Sequence, residues 1–239
     1  MGDALDPNGT GRAIMNSFAD AFAFIFDPGN WGGSGGIADR IGEHLWYSVL
    51  SVAVAALIAV PLGLAIGHFR RGEAIVVGIV NALRSVPSLG VLTYFVLLIG
   101  LGLRPPVVAL VLLAIPPLLA GTYSGIANVD RAVVDAARAM GMTEGQVLFR
   151  VEVPNALPLI LGGLRNATLQ VVATATIAAY VTLGGLGRYI FDGLSSRDYG
   201  TVVAGAILVA ALALVVDALL AAAVWASAPG TGRLARVRR

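Results

Sequence analysis

The chain has 239 residues, 57% of them hydrophobic and only 13% charged, with a formal net charge of +2. Soluble domains carry about 25% charged residues, so the composition excludes a water-soluble core and indicates an integral membrane protein. All 16 basic residues are arginines and there is no cysteine, which excludes a lysine-dependent GxxxxGK[ST] phosphate loop, disulfides and thiolate chemistry.

Residues 1–44 read as a leader outside the membrane domain. Asp3 and Asp6 stand where a signal peptide would have a basic region, so none is expected. The apolar run Ile14–Phe26 is too short to span easily and is expected as an interfacial or packed helix. The glycine-rich Trp31–Gly36 reads as a flexible connector.

The membrane domain is expected over 45–227. About 20 apolar residues cross the hydrocarbon as a helix, and backbone groups there must be satisfied internally. The runs predict five transmembrane helices: Leu45–Gly67, Ala74–Ile99 interrupted by Pro87, Pro105–Ala127, Leu157–Val181 and Thr201–Ser227. The fold class is therefore all-α and polytopic. His44 and His68 fall at the edges of the first run and are expected as solvated interfacial side chains.

Arginine sets the orientation. Arg70, Arg71, Arg131, Arg138, Arg150, Arg233, Arg236, Arg238 and Arg239 fall on one side, nine in all, against five on the other: Arg12, Arg40, Arg104, Arg188 and Arg197. This places the segment 130–156 and the basic tail 228–239 in the cytoplasm and the N-terminus outside. The basic balance reads as topology, with the lipid bilayer as its context, and no nucleic-acid partner is expected.

Three charges lie within the runs. At about 1.5 Å per residue, Arg84 and Asp217 lie roughly 15 Å deep and Arg165 roughly 10 Å. Such charges are usually paired or near water: Asp217 either pairs with Arg84 or Arg165, or each charge snorkels or faces a wet vestibule. Pro87 and Ser88 break the second run, and Asn166 heads a cluster of polar side chains on the fourth. These residues line either a water-accessible path or helix–helix hydrogen bonds. Gly63/Gly67 and Gly121/Gly125, at four-residue spacing, permit close helix approach.

Asp135–Pro154, DAARAMGMTEGQVLFRVEVP, is a mixed polar and apolar stretch between long apolar runs. Asp130 suits a helix N-cap and Gly141 a left-handed C-terminus. Thr143 and Gln146 have the spacing of a capping box, and Pro154 and Pro158 are expected to limit the second helix. Two short helices outside the bilayer make a docking knob.

The segment resembles the EAA loop of bacterial ABC importer permeases: Glu-Ala-Ala, three residues, Gly, nine residues, Ile-x-Leu-Pro. Asp135, Ala136, Ala137, Gly141, Val151, Val153 and Pro154 fall at those spacings, with Asp for Glu and Val for Ile and Leu. Leu183–Leu194 (LGGLGRYIFDGL) and Ser85–Leu89 (SVPSL) are similar to segments of osmoprotectant permeases. The resemblance implies a type I ABC importer permease fold with 130–156 as its cytoplasmic coupling hairpin. It implies a second permease subunit, identical or paralogous, cytoplasmic ABC ATPase subunits and an extracytoplasmic substrate-binding protein. The chain itself is then no enzyme and needs no cofactor or metal. Glycine betaine, choline, carnitine or proline is the implied cargo. Methionine-type or other amino-acid permeases share the five-span plan, and a self-contained channel or secondary transporter is the distant alternative.

Overall fold

The computed structural model describes residues 7–181 and 183–227; the basic tail 228–239 and the side chain of Arg84 lie outside the described residues. The described chain is helical, without strands. In order it forms α1 (Pro7–Phe26), α2 (Ile37–Phe69), α3 (Glu73–Ser85), α4 (Ser88–Ile99), α5 (Arg104–Ala127), α6 (Arg131–Ala139), α7 (Glu144–Val147), α8 (Val153–Ala178), α9 (Gly187–Ser196) and α10 (Tyr199–Ser227). A π-helical turn, Leu148–Glu152, joins α7 to α8.

Helix α5 sits at the centre. Pro105 and Pro106 open it, where a missing N–H costs nothing. Leu110, Ala114, Leu118 and Ile126 are among its fully buried residues. It packs chiefly between α2 and α8. Small residues let the backbones close: a Cβ on Gly63 or on Gly67 of α2 would lie 2.7 Å from Thr122 or Ile126, and one on Gly121 would lie 2.6 Å from the Cα of Gly163 in α8. Both four-residue glycine pairs thus lie in helix seams, one facing α5 from α2 and one facing α8 from α5.

Among the described residues, four helices are long and apolar enough to cross a membrane: Ile37–Phe69, Arg104–Ala127, the continuous Glu144–Ala178, and Tyr199–Ser227. The expected second span differs. Its run is divided into α3, with 13 residues, and α4, with 12. Proline has no N–H to give and pushes the preceding residue out of the helical region; Val86 is accordingly extended (φ −82°, ψ 127°). Both pieces pack against α5, and neither, at roughly 20 Å, would cross a hydrocarbon core of about 30 Å alone.

The expected stop at Pro154 and Pro158 also fails. The second hairpin helix runs through both prolines into α8. The π turn absorbs the mismatch: Val153 N–H donates to Leu148 O, five residues back, and the Asn155 side chain donates to Val151 O at 2.7 Å.

At the end opposite the hairpin, α1 packs along α10, so the leader run is a packed helix. The connector after it is ordered by bonds. Trp31 Nε1 donates to Ile25 O at 2.7 Å, and Tyr189 Oη donates to Gly35 O at 2.8 Å. These ties come from the aromatic groups that flank and face the glycines.

Candidate coupling hairpin and intramembrane ion pair

The hairpin is specified residue by residue. The Asp130 carboxylate accepts from Ala132 N at 2.9 Å and starts α6. The helix ends in a Schellman motif: Gly141 N donates to Arg138 O at 2.9 Å and Met142 N to Ala137 O at 3.3 Å. Gly141 takes φ +80° there. Thr143 then forms the capping box. Its hydroxyl accepts from Gln146 N at 3.4 Å, and its own N–H donates to Gln146 Oε1 at 2.9 Å.

The seven pattern positions divide into three kinds. Ala137 is buried with Val134 and Val147 against Ile126 and Ala156, and Val151 and Val153 pack on the same cluster. Gly141 makes the turn. Asp135, Ala136 and Pro154 are exposed. The spacing therefore fixes a platform through Ala137, Val151 and Val153 and presents Asp135 and Ala136 on its outer edge. Across the turn, Arg138 donates to both carboxylate oxygens of Glu144 at 3.0 Å. That hydrogen bond holds the Arg138 guanidinium above its usual pKa. Asp135 lies 3.7 Å from Arg138.

Beneath the hairpin lies a group that the composition does not reveal. His68 and Glu152 are 8% and 2% exposed. His68 Nδ1 is 2.5 Å from Glu152 Oε2, and its Nε2 is 3.1 Å from Glu144 Oε2. His44 is buried too, with Nε2 3.0 Å from Val172 O. The expectation of solvated histidines is corrected: His44, two turns into α2, is covered by α8, and His68, in its last turn, by the hairpin. The sequence signal for the pair was Glu152 itself, a carboxylate flanked by valines, which burial obliges to find a partner.

Within the membrane region Arg165 and Asp217 meet. Arg165 Nε and Nη2 donate to the two Asp217 oxygens at 2.5 and 2.7 Å, tying α8 to α10. This two-pronged geometry is the strong form of the pair. Asn166, Pro87 and Ser88 are not joined to it. Asn166 is exposed, and Pro87 and Ser88 lie at the α3–α4 break.

The LGGLG segment is bolted to the start of α2. Glu43 Oε2 accepts from Gly185 N at 2.7 Å and from Arg40 at 2.8 Å. A methyl on Gly184 would overlap the Glu43 carboxylate, and Gly185 takes φ +80° beside His44. Leu186 is fully buried in a cluster with Ile37.

Comparison with known proteins supplies the context. Residues 59–224 match the family described as binding-protein-dependent transport system inner membrane component. A glycine betaine/carnitine/choline transport system permease protein of Bacillus subtilis is 37% identical over 76% of this chain and 84% of its own. A choline transport system permease protein of the same organism is 38% identical over 76% and 83%. An osmoprotectant import permease protein of Salmonella typhimurium is 34% identical over 78% and 89%. Among solved structures, an inward-facing methionine ABC transporter superposes with a TM-score of 0.71 at 22% identity, over 80% of this chain and 95% of that one. It shares the fold.

Proposed function

We propose that this chain, which belongs to the family of inner membrane components of binding-protein-dependent transport systems, is the permease subunit of an ATP-driven importer of osmoprotectants. The cargo class is quaternary amines and their kin: glycine betaine, choline, carnitine or proline. The observation that carries this reading is the 37% identity over 84% of a permease named for glycine betaine, carnitine and choline. The match to the methionine transporter, at 22% identity, supports the fold and keeps amino-acid import as the second reading.

The chain works with partners. With no lysine it has no P-loop of its own, so cytoplasmic ATPase subunits hydrolyse the nucleotide. A second permease subunit completes the path, and an external binding protein delivers the solute. The hairpin faces the cytoplasm, as the arginine distribution favours, and the N-terminus lies outside. Asp135, Ala136, Gly141 and Pro154, all exposed, form the surface that meets the ATPase, while Ala137, Val151 and Val153 hold it on the ends of α5 and α8. Differential contacts in the two ATPase states bias the helices between inward and outward forms. Arg165, Asn166 and Asp217, with Arg84, Pro87 and Ser88 at the α3–α4 break, flank the path or brace it.

Capture of the co-expressed ATPase tests the partner assignment. The wild-type chain retains it and Gly141→Arg loses it; equal retention by the variant contradicts the assignment. Uptake of labelled glycine betaine against methionine under osmotic stress tests the cargo, and preference for methionine favours the second reading.

A further inference from the structure

We infer that His68 is a positioning residue through which the hairpin passes its displacement to α2. The inference rests on the reading of the hairpin as the segment that meets an ATPase.

His68 lies in the last turn of α2, with its side chain 4% exposed, and each ring nitrogen faces a different part of the hairpin. Nδ1 meets Glu152, at the end of the π turn, and Nε2 meets Glu144, in the first turn of α7. Glu144 is also held by Arg138 of α6, which neighbours Asp135. Side chains thus run without a gap from α2 through His68, Glu144 and Arg138 to Asp135 on the outer edge.

The connection is narrow. Among the described residues, the side-chain polar contacts between α2 and the hairpin helices are those of His68; beside them Leu64 and Gly67 pack on the cluster around Ile126, and Arg70, the α2 C-cap, donates to Val129 O at 3.3 Å. Open space flanks the imidazole on both sides. One cavity of about 340 Å³ is lined by His68, Arg131, Asp135 and Glu152. Another of about 530 Å³ is lined by Pro61, His68, Glu144 and Phe149. A broad packed face would spread a displacement over many contacts. A buried polar joint between two cavities adds a directional tie to the apolar packing of Leu64 and Gly67. Glu152 is 2% exposed, so the joint is costly to open because a buried carboxylate is left unpaired. The π turn sets the register that aims Glu152 inward, and such turns recur at working sites.

The chain has no cysteine, so spin labels go directly on Leu57→Cys in α2 and Met140→Cys at the hairpin turn. In the purified chain the wild-type background gives one narrow distance, and His68→Ala broadens it. The complex with the ATPase and binding protein is then read for association and for hydrolysis stimulated by the loaded binding protein. Both His68→Ala and Glu152→Gln retain the ATPase, and stimulation falls about tenfold, within the usual range of coupling between sites. His68→Gln, which keeps one donor, restores part of both readouts; it also stands in should His68→Ala fail to fold. An unchanged distance in His68→Ala overturns the joint. A broadened distance with full stimulation overturns its role in transmission. A wild-type chain that captures no ATPase overturns the proposed function and the transmission with it, while the distance measurement still decides the joint.

Discussion

Gly141 and Gly184 show how single residues specify the two ends of the molecule. Gly141 ends α6 at φ +80°, a region that costs other residues roughly 1–2 kcal/mol and β-branched ones more. Gly141→Val should therefore fray the hairpin and reduce ATPase capture while leaving membrane insertion intact, as co-purification and membrane fractionation would register. Gly184 leaves room for the Glu43 carboxylate. Gly184→Ala should lower the Tm of the purified chain, and adding Glu43→Ala should recover part of the loss. If the double variant is less stable than the sum of the singles predicts, the two residues do not compete for that space. The turn, cap and capping box were legible in the sequence because their partners lie within a few residues. His68 was not legible, because Glu152 is 84 residues away and a histidine at a span edge looks the same whether the hairpin covers it or water does.

At the scale of elements, the apolar runs revealed where chain crosses the membrane region but not how each crossing is built. The run over Ala74–Ile99 has the length of a span, yet Pro87 divides it into two short helices with Val86 extended between them. The opposite happens at Pro154 and Pro158, where the π turn and the Asn155 side chain carry the helix onward. A proline's effect depends on the backbone register around it, extended at Val86 and π-helical before Pro154, which spacing alone does not tell. The α8–α10 tie is the one intramembrane charge reading that the structure selects: of the two arginines weighed against Asp217, Arg165 meets it. Arg165→Asp and Asp217→Arg should each lower the yield of folded, detergent-stable protein, and the swap should restore much of it. A swap no better than the sum of the singles would show that the pair does not hold these helices together. Removing one partner of a low-dielectric pair strands the other, which is why the singles should be worse than their exposure suggests.

For the whole molecule, composition, run length and the seven-position pattern carried the fold class, and the family match over 59–224 agrees. Orientation is the remaining large-scale expectation. A single Gly145→Cys should be shielded from a membrane-impermeant maleimide in intact cells, while Ser34→Cys is labelled; the reverse pattern would invert the topology. The hairpin's purpose is the central claim: it receives work done by another chain. The most direct test is uptake of labelled glycine betaine into proteoliposomes holding the permease, its ATPase and its binding protein. Uptake is predicted to require ATP on the hairpin side and to vanish when the ATPase is omitted. ATP-independent uptake by the purified chain alone would contradict the account.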